Sequence, residues 1–198
     1  MNALTDAQRI SAFEQMQGHV LELHARWHLF RKLYRGNADS VPVLTGVGGE
    51  MFWVLGRLLH RGSLLLFRQL TDGPVTFGER NASFEGLIRE FGGTSYKADH
   101  PDLIAVIEGL RSKKTIKDHV NKYIAHLDLE LLAGAVSPPT GVEILDFEDA
   151  LRMMRDLISK MRDRFAPQSH LLDFEGGADL MVSQAESLVE TLRKGLKS

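Results

Sequence analysis

The chain contains no cysteine among its 198 residues. This absence excludes disulfide bonds, thiolate zinc sites and a cysteine nucleophile. It also suits a reducing compartment, so a cytoplasmic protein is our expectation. There is no large excess of charge of one sign either, since the formal net charge is -2. The chain as a whole is therefore no polyanion binder, and any contact with nucleic acid has to come from a local basic patch.

A long uninterrupted apolar run is also missing. The most apolar stretch, MFWVLGRLLHRGSLLLFRQL, is broken by Arg57, His60, Arg61 and Arg68, whereas a bilayer core needs about 20 mostly apolar residues. The N-terminus has no basic start followed by an apolar run, so we expect neither a signal peptide nor a membrane partner. We interpret the apolar stretch as a buried helix of a soluble protein.

Helical periodicity, by contrast, is present along nearly the whole chain. It predicts a first helix over 6–35 and a second that begins between Val43 and Gly49 and ends near Asp72. Further helices are predicted over FEGLIREF, PDLIAVIEGLR, KKTIKDHVNKYIAHLDLELL and FEDALRMMRDLISKMRDRF. A final helix is predicted over 177–197. Five or six such helices predict an all-α, antiparallel up-and-down helical bundle. A chain of this length is expected to form a single domain, 1–198.

The segments between these helices carry their own signals. The stripe of PDLIAVIEGLR does not continue in phase into KKTIKDHV, so a break or kink is predicted at Arg111 to Lys114, although one bent helix would also fit. DGPVTFGERNAS is typical of turns, with Asn81 or Ser83 as a cap for the next helix. GGTSY is predicted to be a loop, and Asp146 a helix cap. GVEIL is the only strand-like piece and is too short to build a sheet.

Motifs for metals and cofactors are weak. His24 and His28 lie one helical turn apart and could share a metal ion if further ligands came from elsewhere. The motif HExxH is absent and Arg26 stands between them, which favours two ordinary histidines. The glycine-rich TGVGGEM lacks the preceding strand and the Lys-Ser/Thr pair of a phosphate loop. We expect no metal and no cofactor, and a metal-binding helical bundle remains an alternative.

A local basic patch lies between residues 108 and 122. Its cations are Arg111, Lys113, Lys114, Lys117 and Lys122. On a helix, Lys122 precedes His126 by one turn and His119 precedes it by two, so these side chains share one flank. A histidine there could move a proton near neutral pH while the cations hold a phosphodiester. A solvated basic face with an ordinary histidine is the alternative, and it is favoured on physical grounds alone.

Two segments together resemble the AbiU2-like (abortive infection type) branch of the HEPN superfamily. They are LLLFRQLTDGPVTFGERNASFEGLI and NKYIAHLD, within residues 64 to 128. The matching residues of the first segment are Arg68, Leu70, Thr71, Asp72, Asn81 and Ser83. Those of the second segment are Asn121, Lys122, Ile124, Ala125, His126 and Asp128.

The resemblance implies an all-α bundle that dimerises and acts in phage defence or a toxin–antitoxin system. RNA, a second copy of the chain and an antitoxin are the partners it implies. Active HEPN proteins resemble metal-independent ribonucleases. Their signature is an arginine a few residues before a histidine, and the two copies of this motif meet at the dimer interface. On this basis His126 is the expected acid/base, Asn121 and Lys122 contact phosphate, and Asp128 orients the histidine. The residues expected to bind RNA phosphates are Lys113, Lys114, Lys117 and His119.

The arginine of that signature is missing from this chain. The positions where it is expected hold His119, Val120 and Asn121. A lysine offers a point charge without the bidentate fork that arginine gives a phosphate. Activity therefore remains open: Lys122 or His119 could substitute, or the chain could be a catalytically inactive HEPN bundle that serves as an RNA-binding or dimerisation module.

Overall fold

The structure, a computed structural model, describes residues 3–35, 40–121 and 143–197. Within these ranges the fold is helical except for one two-stranded hairpin. The elements are α1 (Asp6–Tyr34), α2 (Ser40–Thr71), β1 (Val75–Thr76), β2 (Glu79–Arg80), α3 (Phe84–Gly92), a 3-10 turn (Gly93–Ser95), α4 (Tyr96–Asp99), α5 (Pro101–Arg111), α6 (Lys114–His119), α7 (Ile144–Phe165) and α8 (Phe174–Lys197). The predicted all-α helical bundle is confirmed. None of these helices is long and apolar enough to cross a membrane.

The helices form two compact units. The first comprises Met1–Val20 and Leu64–Leu172, and the second comprises Leu21–Ser63 and Asp173–Ser198. The long helices α1 and α2 thus each contribute residues to both units. The single domain expected from chain length stays a prediction.

The core of the first unit lies between α5 and α7. Leu103, Ile107 and Leu110 of α5 are fully buried, and the Phe67 and Phe147 rings lie 5.6 Å apart between centroids. Burying each such side chain is worth about 1.5–3 kcal/mol relative to leaving it exposed. The apolar periodicity of α5 and α7 is therefore explained by this shared core.

The second unit has a separate apolar cluster. Its buried members are Leu33, Val43, Leu44, Phe52, Ala185 and Val189. The hydroxyl of Tyr34 donates a hydrogen bond to the backbone oxygen of Phe52 at 2.7 Å. Helix α2 is interrupted at Gly48, where φ is -175° and ψ is 66°, so it consists of two helical parts that meet at a kink.

Several predicted boundaries agree with the structure. The predicted helix over 6–35 is α1, and most of the apolar residues that recur along it at intervals of three and four are buried, namely Phe13, Met16, Val20, Leu23, Trp27, Phe30 and Leu33. The predicted break at Arg111 to Lys114 is confirmed, since α5 ends at Arg111 and α6 begins at Lys114. Asn81 and Ser83 were the two predicted caps of the next helix, and Ser83 is the cap of α3.

Four local predictions were wrong. Helix α2 starts at Ser40, earlier than expected, and GGTSY forms the 3-10 turn and the start of α4. Asp146 is no cap, because α7 begins at Ile144 with Glu143 at its cap position and Asp146 in its first turn. Of the strand-like GVEIL, Ile144 and Leu145 begin α7, and Gly141 and Val142 lie outside the described residues. The strands lie in the segment predicted as turns, where Val75 pairs with Arg80 and Thr76 with Glu79.

The hairpin and the cap of α3 are held by the Asn81-Ala82-Ser83 segment. Phe77 and Gly78 form the two-residue loop with φ of 50° and 86°, which is the backbone of a type I′ turn. The Asn81 amide donates to the Gly73 backbone oxygen and to Thr76 Oγ1, both at 2.7 Å. Ser83 Oγ accepts the Gly86 N–H at 3.1 Å and so satisfies a donor at the helix start.

The cap predicts the effect of a substitution at Ser83. Ser83→Ala should lower the free energy of unfolding by about 1 kcal/mol, because the Gly86 N–H loses its buried acceptor. Urea denaturation measures this loss. Ser187→Ala, at an exposed position inside α8, is the control and should cause no loss. Equal stability of the two variants would contradict the role of the cap.

Candidate phosphate-binding cleft

The guanidinium of Arg111 joins the end of α5 to the end of α2. Its Nε donates to the Thr71 backbone oxygen at 2.7 Å, and its Nη2 donates to the Asp72 backbone oxygen at 2.6 Å. Carbonyls at a helix C-terminus lack intrahelical partners, so a cation there satisfies them. Arg111 thereby ties the end of α5 to the first of the two segments that carry the resemblance.

The same guanidinium contacts a buried carboxylate. Glu85 has a side-chain exposure of only 2%, and its Oε2 lies 2.5 Å from Arg111 Nη1. Its Oε1 accepts from Tyr96 Oη at 2.6 Å and pairs with Lys97 Nζ at 3.0 Å. Burial by itself would raise the pKa of Glu85, but the hydrogen bonds from Tyr96, Lys97 and Arg111 outweigh it and hold the pKa below its ordinary value. Glu85 is therefore an ionised and fully partnered carboxylate.

A cleft with a volume of about 230 Å³ lies beside this network. Its apolar lining comes from Phe67, Leu110 and Ile116. Every charged side chain that the described residues contribute to the lining is a cation, and these are Arg68, Arg111, Lys113 and Lys117. A concave surface lined by one sign of charge concentrates ligands of the opposite sign.

The lining cations differ in how far they are already neutralised. Arg68 pairs with Asp72 at 2.7 Å. Lys113 Nζ donates to Asp149 Oδ2 at 2.6 Å, and this bond with its charge holds the pKa of Asp149 below its ordinary value. Lys117 is exposed, and no carboxylate among the described residues pairs with it. Within the part of the chain that the structure describes, Lys117 is thus the lining cation whose charge is most available to an anion.

The structure places only part of the predicted site. Lys113 and Lys117 line the cleft. Lys114 is an exposed residue of α6, the helix that also carries Lys117, whereas His119 and Asn121 are half-buried. The predicted catalytic residues His126, Lys122 and Asp128 lie outside the described residues, so their roles stay predictions.

The sequence predicted no site role for Arg68 or Glu85, and it predicted Arg111 only as one of the cations that could hold a phosphodiester. The sequence signal for Arg68 was its place in the first matching segment. The signal for Arg111 was only its positive charge within the basic run. The sequence carries no signal for Glu85, because an acidic residue in the first turn of a helix is ordinary. Its burial becomes apparent only in the folded structure.

The alternative of a metal site at His24 and His28 gains no support from the described residues. Among them, no group of three or more histidine or acidic side chains could hold a metal ion. His24 is buried, with its ring 5.7 Å from Phe174 and 6.2 Å from His28. Burial lowers the pKa of His28, as does nearby Arg31, against the opposing charge of Asp179. These contacts are those of packed histidines.

The buried carboxylate predicts a pH-dependent loss of stability. Glu85→Gln should lower the free energy of unfolding at neutral pH by roughly 2–3 kcal/mol, because Arg111 and Lys97 lose a desolvated charge partner. Since the folded pKa of Glu85 lies below the unfolded one, its contribution is present at neutral pH and is lost as the pH falls through the folded value. The deficit measured by urea denaturation should therefore shrink in acid.

Glu108 offers a matched control for this experiment. Its exposed carboxylate pairs with the same Arg111 at 2.9 Å. Glu108→Gln should cost under about 1 kcal/mol, because solvent screens an exposed pair. A deficit of Glu85→Gln that is unchanged between neutral and acidic pH would contradict the ionised state.

Comparisons with protein-family models, with curated proteins and with solved structures give no match for this chain. The grounds for a function are therefore the residues themselves. These grounds are the cationic cleft and the resemblance of residues 64–88 and 121–128 to HEPN proteins.

Proposed function

We propose that this protein is a HEPN-type, AbiU2-like protein that binds RNA and cleaves it without a metal ion. The observation that carries the proposal is the cleft where Arg68 from the first matching segment meets Lys113 and Lys117 from the basic run. Cations at this place suit the phosphodiester backbone, which dominates the affinity of proteins for nucleic acid. A role in phage defence or a toxin–antitoxin system, with an antitoxin as partner, belongs to the same proposal.

The proposed chemistry is transfer of a phosphoryl group within the RNA. The ribose 2′-hydroxyl loses its proton to a base and its oxygen attacks the adjacent phosphorus, while the bond to the 5′-oxygen breaks. The leaving oxygen takes up a proton, which leaves a 2′,3′-cyclic phosphate and a 5′-hydroxyl. His126 is the proposed acid/base, with Asn121 and Lys122 on the phosphate and Asp128 orienting the imidazole.

The buried state of Val120 bears on the missing arginine. Val120, the middle one of the three positions where the family's arginine is expected, is only 1% exposed and faces the core of the first unit. A cation that stabilises the charge of the transition state must come from another position, and exposed Lys117 lies three residues earlier. Because lysine lacks the bidentate fork of arginine, slower cleavage than in an arginine-bearing HEPN protein follows.

A second candidate function is an inactive HEPN bundle that binds RNA or a partner without cleaving it. The buried apolar residue at the arginine position favours this reading. The cationic cleft supports both candidates, since binding a phosphate backbone needs no acid/base. Cleavage is therefore the property that separates them.

Cleavage is tested by incubating the full chain with RNA in the presence of EDTA. We expect products that end in a cyclic phosphate, and we expect His126→Ala to lose them by roughly 100-fold or more, as is typical of a lost acid/base. His170→Ala, at an exposed histidine outside the cleft lining, is the matched control and should cleave normally. RNA binding without any cleavage by the unmodified chain would establish the second candidate instead.

Binding is tested separately with two lysines of α6. Lys117→Ala should raise the Kd for single-stranded RNA about fivefold, or about 1 kcal/mol, because it removes the most available cation of the cleft. The slope of log affinity against log salt should fall by roughly 0.7–0.9. Lys114→Ala makes the same change of charge on the same helix but outside the cleft lining. Equal effects of the two substitutions would show that the cleft is not the binding site.

A further inference from the structure

An apolar cavity with a volume of about 310 Å³ lies between the start of α1, the hairpin and α3. All of its lining residues belong to the first unit, and none of them lines the cationic cleft. The apolar part of the lining consists of Leu4, Ala12, Met16, Pro74, Ala82 and Leu87. Binding sites for small molecules are concave, mostly apolar and of this size or larger. The cavity therefore has the form of a site for a small apolar ligand.

Hydrogen bonds within the chain hold the walls of the cavity in place. The Thr5 backbone N–H donates to Gln8 Oε1 at 2.9 Å, and the Gln8 N–H donates to Thr5 Oγ1 at 3.3 Å. This reciprocal cap fixes the path of the chain into α1, and with it the lining residue that precedes Thr5. Ala82 lies between Asn81 and Ser83, whose side chains are bonded to Gly73 and to the start of α3. A ligand thus meets walls that are already ordered, which favours binding.

The lining carries one positive charge in excess. Its charged residues are Arg80, Arg89 and Glu90. Arg80 Nη1 pairs with Glu90 Oε1 at 2.9 Å, so these two charges offset each other. Arg89 is exposed, and no carboxylate in the part of the chain that the structure describes pairs with it. A guanidinium can donate to both oxygens of one carboxylate, so Arg89 suits a ligand that carries a single acid group.

We propose that this cavity binds a small monocarboxylic acid with an apolar body, such as a medium-chain fatty acid. The apolar body lies against Met16 and Leu87, which are only 4% and 5% exposed, and the carboxylate accepts hydrogen bonds from Arg89. Release of water from the apolar surfaces drives the binding. A phosphodiester chain fits this lining poorly, because most of its charges would face apolar walls. The proposal goes beyond the proposed ribonuclease function and does not depend on it.

Octanoate is a suitable probe for the cavity. A water molecule occupies about 30 Å³ of liquid, so the cavity has room for roughly ten groups of that size, and octanoate has about as many non-hydrogen atoms. Its neutral analogue 1-octanol has the same apolar chain and lacks the charge. Isothermal titration calorimetry of the full chain measures the affinity for each.

Filling the cavity tests where octanoate binds. Ala12→Leu places a larger side chain in the lining and should raise the Kd for octanoate by roughly tenfold or more, because one additional methylene already has an effect of that size in an apolar pocket. Ala7→Leu is the matched control, since Ala7 is exposed on the same helix and outside the lining, and it should bind as the parent does. A parent chain that does not bind octanoate, or equal Kd values for the two folded variants, overturns the proposal.

Removing the charge tests the class of ligand, and it decides the proposal if Ala12→Leu does not fold. Arg89→Gln should raise the Kd for octanoate by roughly fivefold, as is typical of one exposed ionic contact, and should leave the Kd for 1-octanol unchanged. Arg152→Gln removes the same charge from an exposed position of α7 outside the lining and should change neither value. An unchanged Kd for octanoate in Arg89→Gln, or an equal rise for both compounds, overturns the assignment of a carboxylate ligand.

Discussion

The guanidinium of Arg111 is the contact on which the cleft depends. It satisfies the last carbonyls of α2 through Thr71 and Asp72, and it neutralises the buried carboxylate of Glu85. Without it, helix-end carbonyls and an anion would be left together in a poorly solvated place, which costs several kcal/mol. The five N–H groups of arginine, fixed in one plane, make such a three-way contact possible, whereas a lysine could not replace it.

This structural use of Arg111 changes how the basic run is interpreted. The run contains several cations, but Arg111 and Lys113 are held by carboxylates and carbonyls of the protein itself. A phosphate would have to displace those partners, whereas it could bind Lys117 directly. The electrostatic attraction of the cleft for an anion therefore depends less on the number of its cations than on Lys117, which pairs with no carboxylate among the described residues.

The helices of the fold could be predicted from the sequence, because a spacing of three and four is a local property of each segment. The errors came at the ends of helices and at contacts between residues distant in the chain. Asp146 looked like a cap, but α7 begins two residues earlier. At the candidate site, Lys113 was predicted to bind phosphate and is in fact near the cleft, yet its ion pair with Asp149 joins residues far apart in the chain. No local pattern could reveal that pairing.

The sequence by itself determined the helical class, the break after Arg111 and the basic composition of the segment that follows. Tertiary structure alone decided that Glu85 is buried and ionised, that Val120 faces the core and that one face of α2 carries exposed apolar side chains. The reason is that helix formation follows from neighbours along the chain. Burial and charge pairing, in contrast, depend on which surfaces long-range packing brings together.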